Sequence, residues 1–168
     1  MQPTRLMTGH HPATARVLVV DDEESICTVL VRTITPLGLT VDIALDADTA
    51  LDIMRQHPAQ VAMVDIRMPG HNGIWLIEHL EKDYPSTAII IVTGIRDLDP
   101  RLTLRPSVVG YLTKPFRPAK VRDMVTKAVG LVNALPPGER IRGTLQPVSD
   151  EDIASMGDAD EDPDDNAN

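Results

Sequence analysis

Five short runs of mostly apolar, β-branched residues recur along the chain. Three of them are nearly continuous, which is typical of strands buried on both faces of a parallel sheet. Their starts are at least 20 residues apart, so each interval has room for a helix and two short loops, the spacing of βαβ units. The predicted strands are Arg16–Val20, Thr40–Ala44, Val61–Val64, Ala88–Val92 and Val108–Leu112.

Helical periodicity fills most of the intervals between these strands. In the first interval, apolar residues at positions 26, 30, 34 and 37 recur at steps of three or four, and Gly38 supplies a stop. The second opens at Asp46, a plausible N-cap, and ends at His57-Pro58. After the last strand, the stretch from Val121 to Val132 carries the clearest amphipathic stripe.

The third and fourth intervals carry weaker patterns. The fourth, Gly94–Ser107, contains Pro100 and Pro106 and few apolar anchors, which predicts a short or mobile helix. The third begins near Asn72, and one side of its helix is expected to carry Trp75, Leu76, His79 and Leu80.

The alternation of strands and helices predicts an α/β fold, a doubly wound (βα)5 sandwich around a five-stranded parallel sheet. Ligands of such sheets bind at the carboxyl ends of the strands, where the strand order reverses. The residues that directly follow the apolar runs are therefore the candidates for function.

Charge divides the chain into a balanced part and an acidic end. Of the formal net charge of −9, all belongs to residues 150–168, which contain nine acids and no Lys or Arg, while residues 1–149 contain sixteen of each sign. We predict a disordered N-terminal tail at 1–14, one domain at 15–134, and a Pro/Gly linker with a disordered acidic tail at 135–168. This acidity disfavours direct nucleic-acid binding.

Other classes of protein are disfavoured by what the chain lacks. No apolar run approaches the roughly 18–20 residues of a membrane span, and the first fifteen residues do not read as a secretory signal, so we expect a cytoplasmic protein without membrane contact. The single cysteine, Cys27, excludes an internal disulfide framework and a multi-cysteine zinc site.

Four of the predicted strands end in residues with complementary chemistry: Asp21-Asp22, Asp65, Thr93 and Lys114-Pro115. Carboxylates that converge on one edge repel one another unless a cation is bound, and all-oxygen ligands favour Mg²⁺. An ammonium and a hydroxyl beside that cation suit a phosphoryl group, and a central carboxylate can act as a nucleophile. Each piece alone could instead be a helix cap or a turn.

Together these motifs resemble the receiver domain of two-component response regulators. The resemblance runs from about Arg16 to Val132 and rests on the segments VLVVDDEES, VDIRMPGHNG, IIIVTG and GYLTKPF. It implies a flavodoxin-like fold and a phosphoacceptor that undergoes Mg²⁺-dependent self-phosphorylation and autodephosphorylation, rather than an enzyme with a separate substrate.

The resemblance also implies a role for each strand-end residue. Asp65 is then the phosphoacceptor, with Lys114 and Thr93 contacting the phosphoryl group. Asp21, Asp22, Asp65 and the backbone carbonyl of Arg67 are then the Mg²⁺ ligands. Thr93 and Tyr111 match the family's switch pair, and the bond before Pro115 is expected to be cis.

The implied function is that of a single-domain receiver. It takes a phosphoryl group from a sensor histidine kinase or phosphotransfer protein, then controls a protein partner or relays the group. Two alternatives remain: an N-terminal fragment of a larger regulator, and a haloacid-dehalogenase-like Mg²⁺-dependent phosphatase. The downstream partner and phosphorylation-dependent dimerisation are left open.

Overall fold

A computed structural model describes residues 14–94 and 105–142 of the chain. Within these ranges, five parallel strands form one sheet in the order β2-β1-β3-β4-β5. The order reverses between β1 and β3, and this is the switch point at which such folds place their ligands. The strands are β1 Arg16–Val20, β2 Thr40–Ala44, β3 Val61–Asp65, β4 Ala88–Gly94 and β5 Val108–Lys114.

Four helices of the described segments cover the two faces of the sheet, which confirms the flavodoxin-like fold. The buried residues of α2 and α3 pack on one face, and those of α1 and α4 pack on the other. None of the helices in the described ranges has the length and apolar character needed to cross a bilayer. The helices are α1 Glu24–Ile34, followed by a 3-10 turn at Thr35–Leu37, α2 Ala47–Gln56, α3 Gly73–Asp83 and α4 Pro118–Asn133.

The helix boundaries follow the local signals in the sequence. The Asp46 side chain accepts a hydrogen bond from the backbone N–H of Thr49, and Asn72 accepts one from Trp75, so both residues cap helices. The cap at Asp46 was expected, whereas Asn72 was expected only to lie near the start of its helix. Gly38 adopts a left-handed conformation (φ 76°) directly after the 3-10 turn, which a residue with a side chain disfavours.

The structure corrects two details of the predicted elements. Strands β3, β4 and β5 extend beyond their apolar runs to include polar residues at their carboxyl ends. In α3, Ile77, which the pattern did not include, is buried together with Leu76 and Leu80. Trp75 is half-buried against the same core, and its ring stacks on that of His71 and is tilted against that of His79. The helix expected within Gly94–Ser107 falls mainly on residues 95–104, outside the described ranges.

The packed part of the chain extends past residue 134, where we expected the domain to end. The Ile141 side chain is 4% exposed and belongs to the core on the α1/α4 face. Its backbone N–H donates to the carbonyl of Pro85 (2.9 Å), and the Ser86 hydroxyl donates to the carbonyl of Glu139 (3.1 Å). We call residues 135–142 the C-terminal strap. The remainder of the predicted tail, like residues 1–13, lies outside the described ranges.

The strap makes a testable contribution to stability. Truncating a buried isoleucine removes packed methyl groups and leaves a cavity, so Ile141→Ala is expected to lower the free energy of unfolding by about 2–4 kcal/mol. Urea denaturation followed by circular dichroism measures this change, and Arg142→Ala, at an exposed neighbouring position, serves as the control. Equal midpoints for the two variants would show that the strap does not stabilise the domain.

Candidate functional site

The carboxyl edge of the sheet gathers the polar residues that follow the apolar runs. Asp21 comes directly after β1, and Asp65 and Lys114 are the last residues of β3 and β5. Alternation along each strand assigns these three side chains to the α1/α4 face, because the residue two positions earlier in each strand (Val19, Met63 and Leu112) lies in that core. Three separate strands therefore bring two carboxylates and one ammonium to a single place.

Lys114 is the cation at the centre of this group. Its Nζ lies 2.7 Å from Oδ2 of Asp21, 3.5 Å from Oδ2 of Asp65 and 3.3 Å from Oε1 of Glu23. The side chains of Asp21, Asp65 and Lys114 are 1%, 7% and 18% exposed, whereas that of Glu23 is 59% exposed. Three carboxylates thus share one ammonium, and two of them are almost inaccessible to water.

Burial and charge perturb the titration of this group. Burial raises the pKa of the Asp65 carboxyl, nearby Lys114 opposes that rise, and nearby Asp21 adds to it. For Lys114, burial disfavours the charged form, but the contacts to Asp21 and Asp65 outweigh burial and raise its pKa. A carboxylate that is costly to bury and short of positive charge favours an additional cation in the pocket.

Asp21, Asp22 and Asp65 have the donor set for that cation. One carboxylate oxygen from each lies within 4.8 Å of the others. Asp22 is exposed, so the cluster opens to solvent on one side. Oδ1 of Asp21 accepts a hydrogen bond from the backbone N–H of Glu23 (2.9 Å), which fixes the orientation of this carboxylate. An all-oxygen set of this kind fits a hard divalent ion such as Mg²⁺.

Gly73 packs against the backbone of Asp65, a contact that was not predicted from the sequence. A Cβ atom at position 73 would lie 2.0 Å from the carbonyl oxygen of Asp65 and 2.8 Å from Cα of Ile66. The backbone N–H of Gly73 donates to the carbonyl of Ile66 (3.0 Å). The first residue of α3 therefore packs directly on the end of β3, and only glycine permits so close an approach. The one sign of this contact in the sequence is a glycine directly after Asn72, near the expected start of the helix.

The proposed switch residues lie on neighbouring strands. Thr93 is 1% exposed near the end of β4, two residues after Ile91, the register partner of Tyr111. The Tyr111 hydroxyl is buried and has no hydrogen-bond partner within the described ranges. Burial raises the pKa of this hydroxyl to about 12, so the phenol is neutral at physiological pH. A buried polar group without a partner is costly.

The remaining predicted residues surround the same edge. The Lys114–Pro115 peptide bond is cis, as the resemblance implies. Arg67 lies two residues beyond Asp65, in the loop that leads to α3, and is exposed. Cys27 lies beneath the site, where its thiol donates to the backbone carbonyl of Asp21 (3.4 Å), and burial raises its pKa to about 11. The thiol is therefore a packing group rather than a nucleophile.

Comparison with known proteins agrees with this geometry. The family model of the response regulator receiver domain matches residues 17–126. The response regulator protein PilR of Pseudomonas aeruginosa is 27% identical over 119 residues, covering 70% of this chain and 27% of PilR. The DNA-binding transcriptional regulator NtrC of Klebsiella pneumoniae is 32% identical over 112 residues, covering 66% of this chain and 24% of NtrC. The chain thus spans about a quarter of the length of these relatives.

Solved structures give the same result at the level of the fold. The CheY-like response regulator receiver domain protein of Methanospirillum hungatei superposes with a TM-score of 0.67 at 25% identity, covering 72% of this chain and 98% of that one. The receiver match spans the strand ends described above, and it favours the receiver over the haloacid-dehalogenase-like alternative. The chain belongs to the response regulator receiver domain family of two-component signalling systems.

Proposed function

We propose that Asp65 accepts a phosphoryl group from a phosphohistidine of a sensor kinase or phosphotransfer protein. The observation that carries the proposal is the meeting of Asp65 with Lys114 and Asp21 at the switch point of the sheet, with Nζ of Lys114 3.5 Å from Asp65 and 2.7 Å from Asp21. Asp21 is also buried and contacts Lys114. Asp65 is the proposed acceptor because it ends β3, the central strand of the sheet, at the position that the receiver resemblance assigns to the phosphoacceptor.

The transfer is a displacement at phosphorus. A carboxylate oxygen of Asp65 forms the new bond to phosphorus as the P–N bond to the donor imidazole breaks, and the departing nitrogen keeps the electron pair and takes a proton from solvent. The Lys114 ammonium, already within reach of Asp65, neutralises charge on the transferring oxygens. The Thr93 hydroxyl serves as a hydrogen-bond donor on the side of β4.

Asp21, Asp22, Asp65 and the backbone carbonyl of Arg67 would hold Mg²⁺. When bound, the ion neutralises the carboxylates and the phosphoryl oxygens that would otherwise repel each other. The need for it follows from the carboxylate cluster itself, because Lys114 supplies one positive charge to at least three acids. Removal of divalent ions with EDTA should therefore stop phosphorylation while leaving the fold intact.

The output of the domain would be a change in protein contacts. The phosphoryl group would draw the Thr93 hydroxyl toward Asp65, and the Tyr111 ring would occupy the adjacent space. Phosphorylation would then alter the surface next to β4 and β5 and change the affinity for a protein partner, or the phosphoryl group would pass to a second phosphotransfer protein. Neither output requires direct contact with nucleic acid.

Incubation with Mg²⁺ and acetyl phosphate tests the proposal. The intact mass of the protein is expected to increase by one phosphoryl group, and Asp65→Asn is expected to abolish the gain. Because asparagine has nearly the shape of aspartate, circular dichroism of the variant should be unchanged. Equal incorporation by both proteins would exclude Asp65 as the acceptor.

A second arrangement is favoured by the length of the relatives. PilR and NtrC are each about four times as long as the part that matches, so this chain could be the receiver of a longer regulator with a separate effector domain. An immunoblot of the native cell extract with an antibody against the receiver distinguishes the two. A band near 18.4 kDa supports the single domain, and a much larger band supports the longer regulator.

A further inference from the structure

We infer that Glu23 is a positioning residue that holds Lys114 when a divalent cation occupies the neighbouring carboxylates. The inference rests on the proposed function of Asp65 and deepens it, because it assigns a role to an acid that is neither a proposed cation ligand nor the acceptor. Its basis is the contact between Oε1 of Glu23 and Nζ of Lys114 (3.3 Å), which joins residues 91 positions apart in the chain.

The backbone of Glu23 is fixed at both ends. Its N–H donates to Oδ1 of Asp21, and its carbonyl accepts from the backbone N–H groups of Ile26 and Cys27 in the first turn of α1. Its side chain makes no capping hydrogen bond to the helix. The residue is therefore an N-cap whose carboxylate is free to serve another purpose, and that carboxylate faces Lys114.

Lys114 and a bound cation compete for the same oxygens. In this structure the shortest contact of Lys114 is to Oδ2 of Asp21 (2.7 Å), and Oδ1 of Asp21 is already bonded to Glu23 N–H. Occupation of Asp21 and Asp65 by a divalent ion requires Lys114 to give up the first contact and weaken the second. Of its three carboxylate partners, only Glu23 lies outside the three-carboxylate cluster.

Because of this competition, the Glu23 contact is expected to raise the affinity for Mg²⁺ and to lower the rate of phosphorylation. By drawing Lys114 away from Asp21, Glu23 strengthens the binding of Mg²⁺. By retaining Lys114, it slows the movement of the ammonium onto an incoming phosphoryl group. A residue that merely supported the fold would affect both steps in the same direction.

Three variants test the inference. Glu23→Gln removes the charge. Glu23→Asp keeps the charge on a shorter side chain, which lengthens a contact to Lys114 that is already 3.3 Å. The control, Glu24→Gln, removes a neighbouring charge from the exposed first turn of α1. Two quantities are measured for each: the dissociation constant of Mg²⁺ by titration of amide NMR signals without phosphodonor, and the rate of phosphorylation by acetyl phosphate at saturating Mg²⁺.

Both Glu23 variants are expected to bind Mg²⁺ about two- to five-fold more weakly and to be phosphorylated about two- to five-fold faster, as suits a partly exposed ion pair. The Glu24→Gln variant should change neither quantity by more than its general charge effect. Equal changes in Glu23→Gln and Glu24→Gln, a wild-type-like Glu23→Asp, or a fall in both affinity and rate would each overturn the inference.

The two measurements separate this inference from the proposed function. If the unaltered protein gains no phosphoryl group, the assignment of Asp65 as acceptor is wrong. The Mg²⁺ titration then decides the role of Glu23 alone: weaker binding in both Glu23 variants supports the holding contact, and unchanged binding refutes it.

Discussion

Replacing Lys114 with alanine is expected to slow phosphorylation of Asp65 by about a hundredfold or more, the usual cost of removing a preorganised charge from a reacting oxygen. Nζ of Lys114 lies within 3.5 Å of both Asp21 and Asp65. The same change should strengthen Mg²⁺ binding, because the ammonium no longer competes for Asp21. The rate with acetyl phosphate and the Mg²⁺ dissociation constant are the two measurements.

Lys127→Ala is the matched control for this variant. Lys127 is 73% exposed on α4 and forms an ion pair with Asp123 one turn earlier, so its loss removes a positive charge that is paired with an acid outside the site. This control should be phosphorylated at nearly the wild-type rate. A Lys114→Ala protein that reacted as fast as Lys127→Ala would show that the ammonium does not act on the phosphoryl group.

The second large effect is expected at a residue that bears no functional group. Gly73→Ala would place a Cβ atom 2.0 Å from the carbonyl oxygen of Asp65, and because the obstacle is backbone, either the end of β3 or the start of α3 must move. Overpacking of this kind costs about 1–3 kcal/mol or more. It should also displace the Asp65 carboxylate from Lys114, so phosphorylation by acetyl phosphate should fall by at least about tenfold.

Gly130→Ala provides the control for Gly73→Ala. Gly130 lies in the exposed interior of α4 with no atom within 4 Å of its potential Cβ, so alanine there is expected to stabilise the protein by about 0.5–1 kcal/mol. The two substitutions are chemically identical but should shift the urea midpoint in opposite directions. Equal midpoints would mean that the close approach at Gly73 carries no cost.

The sequence predicted the strands and most of the helices because their signals are local. Continuous apolar runs such as Ala88–Val92 can be buried on both faces only in the middle of a sheet, and the structure places them there. The cap at Asp46 could be predicted because it depends on a side chain that bonds to the backbone only three residues away, and α3 begins close to where it was expected, with the same contact at Asn72. The same reasoning ended the strands too early, since polar residues at their carboxyl ends break the apolar pattern.

The features that the sequence did not reveal depend on distant contacts. Ile141 is a single apolar residue in a polar stretch, without a period to mark it, and its burial depends on the loop at Pro85. Ile77 was absent from the predicted inner side of α3, which included Trp75. The structure buries Ile77, and Trp75 is half-buried against the core, with its ring stacked on His71 and tilted against His79. Burial is decided by the neighbouring elements as well as by hydrophobicity.

The candidate site likewise has some features that local sequence signals predict and others that depend on distant contacts. The identities of Asp21, Asp22, Asp65 and Lys114 were legible because parallel strands bring their carboxyl ends to one edge. Which carboxylates contact Lys114, and at what distance, could not be predicted, because those contacts cross between strands. The contact between Glu23 and Lys114 and the support of Asp65 by Gly73 both join elements that only the folded chain places side by side.

The phosphoacceptor role of Asp65 is tested by locating the phosphoryl group itself. The protein is treated with Mg²⁺ and acetyl phosphate, reduced with borohydride, which converts an aspartyl phosphate to homoserine, and digested for mass spectrometry of the peptides. Homoserine is expected at position 65 and at no other aspartate, and none is expected in a sample treated without phosphodonor. Homoserine at Asp21 or Asp22, or its absence from a protein whose intact mass shows the added phosphoryl group, would contradict the assignment of Asp65 as the phosphoacceptor.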